Sequence, residues 1–243
     1  MTTSGSTAFN MDFTEIAEEA WERAGREMRS GYDLRTARRS MNLLMIEWQN
    51  RGINLFTIEQ GEIPLNLGQA TYPLPLDTID LLEHVVRTGS GQNQQDLSIS
   101  RISVSTYATI PNKQTQGRPI QVWVQRLTGE TYPVTSDYEP GETVHPKVTL
   151  WPTPNQNNFY TLVYWRLRRI QDAGSGAQTA DISFRFFPCL VAGLAYYIAM
   201  KTPELAERIQ MLKADYDEQF NLAAGEDREK ASVRFVPRMF RPT

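Results

Sequence analysis

Apolar residues recur at helical spacing near both ends of the chain and at strand-like spacing between them. Phe13, Ile16, Ala17, Ala20, Trp21, Ala24 and Met28 line one face of a helix predicted over residues 13–28. Asp12, three positions before Glu15, supplies a capping-box start for it. After "RSGYD", with Gly31 as a stop and Asp33 as the next N-cap, a second helix carries Leu34, Ala37, Met41, Leu44, Met45 and Trp48 on one face. Gly52 closes it in a left-handed conformation, with Arg51 complementing the dipole in the last turn.

From Ile53 to about Ile170, β-branched and aromatic residues replace this pattern, and turn residues arrive every ten or so positions. The predicted strands are "INLFTIEQ", "ATYPL", "DLLEHVVRT", "RPIQVWVQRL", "KVTLWP" and "FYTLVYWRLRRI", with polar Gly/Pro/Asn-rich loops such as "GSGQNQQ" between them. Ser103 is placed to cap a short helix ending before Pro111. The last strand is apolar on both sides: Phe159, Val163, Trp165 and Leu167 on one, Tyr160, Leu162 and Tyr164 on the other. Such a strand is either central in its sheet or has one face against another subunit, and Tyr160, Leu162 and Tyr164 are its candidate interface residues.

Helices return after "DAGSGAQTA", as "ISFRFFPCLVAGLAYYIAMK", with Pro188 tolerable in the first turn, and as a segment opening at Pro203. The second of these places Leu205, Ile209, Leu212, Tyr216, Phe220 and Ala223 on one face. Each hairpin alone would leave its apolar face in water, so the pattern predicts an α+β chain: a helical bundle built from both ends around an inserted antiparallel β-sandwich or barrel. The expected segments are a polar arm (1–11), a helical hairpin (12–52), a β-rich domain (53–171), a loop (172–183), the closing helices (184–227) and an extended arm (228–243).

Charge and cysteine content narrow the function classes. The 243 residues carry a formal charge of −3, which offers no overall basic field for nucleic acid. The single cysteine, Cys189, excludes an internal disulfide and sits in an apolar run too short to span a membrane. Two histidines, His84 and His145, are too few for a multi-histidine metal centre, and Gly-rich phosphate and hydrolase motifs are absent. No catalytic, metal-binding or cofactor-binding residue is expected. The one acidic cluster, Asp137, Glu139 and Glu142, could supply a carboxylate pair for glycoside hydrolysis, though a solvated loop is its ordinary explanation. Trp123, Trp151 and Trp165 on strands read first as core, and as a sugar-stacking platform only second.

The final stretch, "REKASVRFVPRMFRPT", alternates bases with large apolar groups and carries two prolines. It cannot bury its own side chains, so it is expected to dock on a partner or on its own domain.

Taken in order, "ARRSMNLLMIEWQNRGINLFTIEQG", "YPLPLDTIDLLEHVVR", "PNKQTQGRPIQVWV", "LWPTPN" and "AAGEDREKASVRFVP" resemble the head-to-tail adaptor proteins of tailed phages, especially the tail tubular protein A type of short-tailed phages. The resemblance implies a structural virion protein assembled in the host cytoplasm: a ring, twelve-fold in such phages, between the portal protein and the next tail component. It implies passage of DNA through the ring without sequence-specific binding, and neither cofactor nor membrane. It also makes the basic tail, Arg228, Lys230, Arg234, Phe235, Arg238, Phe240 and Arg241, the portal-docking arm, with helix-bundle faces forming subunit contacts. Some related adaptors have been assigned a cell-wall-degrading activity, and no motif here carries it over. A peptidoglycan-degrading virion enzyme and a carbohydrate-binding β-module using Trp151 or Trp165 remain the alternatives.

Overall fold

The computed structural model describes residues 3, 5–7, 9–127 and 144–228. The chain divides into two compact units, one comprising Met1–Phe56 with Gln171–Thr243, the other Thr57–Ile170.

In the first unit, α1 (Phe13–Ala24) opens with the expected capping box: Asp12 accepts from the Glu15 N–H at 2.8 Å and its own N–H donates to Glu15 at 2.9 Å. It ends at Ala24, four residues before Met28, because Gly25 turns left-handed (φ 99°) and returns its N–H to Trp21 and Glu22. Helix α2 (Gly31–Asn50) is capped by Ser30, which accepts from the Asp33 N–H. Gly31 is therefore the first helical residue and not the stop, and Asp33 lies in the first turn, where its carboxylate faces the positive end of the dipole. At the other end the Gly52 stop is present, with φ 88°.

Helix α4 (Phe187–Ala199) has Pro188 in its first turn, and α5 (Ile209–Glu226) is preceded by a 3-10 segment that begins at Pro203. The short α3 belongs to the second unit and is described with it below. Every residue of α4 from Cys189 to Ala195 is buried, and α4 packs against α1, α2 and α5. It is the axle of the bundle; the other three helices each present one apolar face to it and the opposite face to solvent. Burial pushes the Cys189 thiol up to about 12, so it stays a protonated, inert core residue at neutral pH.

The second unit is a sandwich of two four-stranded sheets. Strands β1 (Ile58–Pro64), β3 (Thr78–Thr88), β4 (Gln95–Ser98) and β8 (Tyr160–Arg168) form an antiparallel sheet in the order β1-β8-β3-β4. Strands β2 (Thr71–Pro73), β5 (Ser100–Arg101), β6 (Gln121–Gln125) and β7 (Lys147–Trp151) form the other, in the order β2-β7-β6-β5, with β5 parallel to β6. Their facing sides share one core that includes Leu65, Tyr72, Leu81, Val86, Val122, Val148, Leu150 and Leu162.

Ser103 caps α3 (Val104–Ala108), as its spacing predicts. The first predicted strand begins later than expected: Leu55–Thr57 form a 3-10 turn, and pairing starts only at Ile58. Strands β4 and β5 escape the hydrophobic pattern altogether. "QDLS" is held mainly by its ladder to β3 and by Arg87, which clasps Asp96 through two nitrogens at 2.8 and 3.0 Å while reaching Glu62 on β1 at 2.7 Å.

One end of the inner face carries a charged cluster. Arg166 on β8 is 9 % exposed and reaches Asp77 at 2.6 Å, Glu59 at 2.7 Å and Thr78 at 3.1 Å; Arg168 adds a second contact to Glu59 at 2.7 Å. A guanidinium out of water needs its donors satisfied, and here carboxylates from two segments do so. Burial works to raise the Asp77 carboxyl, but the hydrogen-bonded Arg166 outweighs it and holds Asp77 below its ordinary value. A carboxyl depressed on folding contributes stability at pH values above its unfolded pKa of about 3.9, and that contribution disappears as pH falls through the folded value. Thermal unfolding followed from pH 7 to pH 2 is therefore expected to show a steeper acid loss for the wild-type chain than for Asp77→Asn. Equal slopes would mean that the pair does not couple to folding.

Candidate interaction surfaces

Among the described residues of each unit, the chemistry-bearing side chains do not converge. His84 lies on β3 in the second unit, where burial lowers its pKa and favours the neutral ring, while His145 bonds the Leu74 carbonyl at 3.1 Å. Cys189 is in the core of the first unit. Among the described residues no group of three or more His, Cys, Asp and Glu side chains could hold a metal ion, and no helix is long and apolar enough to cross a membrane. Asp137, Glu139 and Glu142 lie outside the described residues.

The tryptophans do not form a groove of exposed rings. Trp21 and Trp48 are buried; Trp123 stacks on Tyr107 of α3 with centroids 4.9 Å apart, and Trp151 donates its Nε1–H to the Asn112 carbonyl at 3.1 Å. Trp165 is half-buried.

Tyr160, Leu162 and Tyr164 require a correction. They are 6 %, 0 % and 4 % exposed and belong to the core of the sandwich, so they face the opposite sheet and are not available to a neighbouring subunit. Strand β8 is flanked by β1 and β3, the central-strand alternative left open by its two apolar faces. Of the basic tail, Arg228 is exposed just beyond α5, while Lys230, Arg234, Phe235, Arg238, Phe240 and Arg241 lie outside the described residues.

What the described surface does offer is a set of unpartnered helix faces on the first unit. Opposite its buried face, α2 exposes Tyr32, Arg35, Arg39, Leu43 and Ile46, positions three or four apart that fall on one stripe. Arg38 flanks it, and Tyr32, Arg35, Arg38, Arg39 and Asn42 together line a shallow cleft. Helix α5 exposes Met211, Ala214, Glu218 and Leu222 opposite Leu212, Tyr216 and Ala223. A third apolar spot joins Phe9 to Phe184, stacked at 5.9 Å beside Phe187 and Pro188. The signal for these stripes was present in the sequence. Tyr32, Leu43, Ile46, Met211 and Leu222 are the large apolar residues that do not fit the buried periodicity of their helices.

Behind the stripes, one carboxylate ties three helices together. Glu47 on α2 accepts from the Tyr197 hydroxyl of α4 and from the Tyr216 hydroxyl of α5, the latter at 3.4 Å, and pairs with Arg51. Tyr216 in turn accepts from Trp48 Nε1 at 3.0 Å, and the Arg51 guanidinium sits 4.5 Å from the Phe220 ring centre. Burial, with Glu47 adding to it, pushes the Tyr197 hydroxyl up to about 12. Tyr197 therefore remains a donor at any physiological pH, and the helix faces are displayed on a rigid frame.

A rigid bundle with apolar and charged outer stripes, joined to a β-sandwich and lacking a converged reactive site among the described residues, is the build of an assembly protein, one that works through its surfaces. The SU10 adaptor protein family matches residues 11–238, and the chain belongs to that family. It is thus a phage head-to-tail adaptor, a structural component of the virion that works by contact with other virion components, and its family is not an enzyme family. No curated protein matches the chain.

Proposed function

We propose that the chain forms a ring, twelve-fold as in the tail tubular protein A type, between the portal protein and the next tail component, and that DNA leaves the head through its lumen. The match to the adaptor family over residues 11–238 carries this reading. The exposed stripes of α2 and α5 support it, because a ring subunit needs two lateral surfaces and a lone domain gains nothing from exposing Leu43 or Leu222. The formal charge of −3 suits a channel that lets phosphates pass without the counterion-releasing grip of a basic groove.

In this arrangement the arm of residues 228–243, led by Arg228, Lys230, Arg234 and Arg238 with Phe235, Phe240 and Arg241, anchors the ring to the portal. Its alternating bases and apolar groups gain a partner only where a completed portal presents one, which makes attachment follow head completion. The β-sandwich meets the next tail component. Assembly takes place in the host cytoplasm and needs no cofactor.

Deleting residues 228–243 is expected to leave the fold intact, as read by circular dichroism, and to abolish co-sedimentation with filled heads. Normal attachment of the truncated chain would refute the anchor. The ring is tested by mass: native mass spectrometry of the subunit with purified portal should give portal-bound multimers, and a single bound copy would refute it.

A further inference from the structure

We infer that the two outer stripes of the helical unit are the two halves of one interface: α2 of one copy docks against α5 of the next copy, head to tail around the ring. The inference rests on the ring reading above and names the surfaces that close it.

The stripes match in chemistry. On α2 the stripe runs Tyr32, Arg35, Arg39, Leu43 and Ile46, the last two each 54 % exposed. On α5 and the turn before it, Glu207 and Glu218 alternate with Met211, Ala214 and Leu222, with Met211 at 55 % and Leu222 at 62 %. Neither Arg38 nor Arg39 has a carboxylate within ion-pair distance among the described residues of its own chain, and the same holds for Glu207 and Glu218. Basic-with-apolar facing acidic-with-apolar is self-complementary only between different faces, so it favours a head-to-tail contact over a two-fold one.

They also match in register. Within the subunit α2 and α5 run in the same direction, since Trp48 bonds Tyr216, Arg51 covers Phe220 and the Asn54 N–H bonds Asp227. The Trp48 indole and the Tyr216 hydroxyl meet at 3.0 Å across 168 positions, and this contact is taken as the common level of the two helices. A ring whose axis follows the bundle relates neighbours by rotation alone, so residues at one height meet. The same offset sets Arg39 opposite Glu207, Leu43 opposite Met211 and Ile46 opposite Ala214 of the neighbour. At these three levels one charge meets its opposite and apolar meets apolar, with a small residue receiving the isoleucine.

The test is cysteine cross-linking in assembled particles with a short bismaleimide, Cys189 being buried and silent. A chain carrying both Leu43→Cys and Met211→Cys is expected to give a ladder of multimers, each single variant none, and a mixture of the two single variants dimers. Dimers from Leu43→Cys alone would indicate a two-fold contact and overturn the inference. Multicopy assemblies without cross-links would overturn this pairing while leaving the ring standing, whereas particles with one copy of the chain would remove both. As a second route, Arg39→Glu is expected to lower the assembled fraction by roughly tenfold, for a like-charge contact costs more than about 1.4 kcal/mol, and Glu207→Arg in the same chain to restore it. Assembly unchanged by Arg39→Glu, with loss of duplex DNA retention by the assembled ring, would reassign the stripe to phosphate contact and overturn the interface.

Discussion

Trp48→Ala is expected to destabilise the helical unit by about 3–5 kcal/mol, the range for removing a fully buried large aromatic side chain. Trp48 is 0 % exposed on the face of α2 that packs on α4, with its ring 5.9 Å from that of Phe186. Its loss opens a cavity that the surrounding helices can only partly close, and it leaves the Tyr216 hydroxyl without its indole donor. Tyr216→Phe separates the two effects: it keeps the ring, removes the hydroxyl with its bonds to Trp48 and Glu47, and should cost about 1–3 kcal/mol, because the buried Trp48 N–H then has no acceptor. Urea denaturation followed by far-ultraviolet circular dichroism measures both. Should Trp48→Ala cost no more than Tyr216→Phe, Trp48 would be a polar tether and not a packing element.

Gly61→Val is expected to cost the β-sandwich about 3 kcal/mol, toward the upper end of the usual range for forcing extra atoms into a filled core. Gly61 on β1 stands opposite Tyr164 on β8, and a Cβ built there would lie 2.4 Å from Tyr164 Cζ and 2.5 Å from its hydroxyl. The tyrosine ring lies across the glycine and covers it, so any side chain at 61 must push the ring out of its place on the inner face. Tyr164→Ala alone removes a residue 4 % exposed and is expected to cost about 3–5 kcal/mol, but the double variant should lose at least about 1 kcal/mol less than the sum, because the valine then fills part of the vacated space. Strict additivity in this double-mutant cycle would show that the ring does not rest on the glycine.

The same two regions show where sequence reasoning reached and where it stopped. The apolar faces of α1 and α2, the Asp12–Glu15 capping box, the Gly52 stop and the Ser103 cap were legible because each depends on residues within one or two turns. Starts and stops between competing signals were less so. Ser30, Gly31 and Asp33 all suit a helix start, and only the hydrogen bond from the Asp33 N–H to Ser30 selects the cap. Strand β4 was missed because its apolar content is low and its place is set by a ladder to β3 and by the Arg87–Asp96 clasp.

The candidate surfaces divide in the same way. Arg228 and the basic, apolar tail beyond it are singled out by composition, whereas the only sequence signal of the α2 stripe is that Tyr32, Leu43 and Ile46 fall outside the buried periodicity of their helix. Tyr160, Leu162 and Tyr164 were misassigned because period-2 alternation tells which residues share a face, and not which face is covered. The second sheet covers it.

By itself the sequence determined the order of the helices and of six of the eight strands among the described residues, the caps that end several of them, the insertion of a β-rich segment into a helical frame and the lack of enough histidines or cysteines for a multi-histidine or cysteine-based centre. Local periodicity and steric limits on glycine and proline act over a few residues, so they can be read without knowing the fold. Only the tertiary structure decided that β8 is central, that Arg166 gathers Asp77 and Glu59 from distant segments, that Glu47 joins three helices, and that α2 and α5 keep apolar residues in solvent on their outer faces. Those facts depend on which surfaces meet across 89 to 169 positions of chain, a choice made by packing the whole core at once.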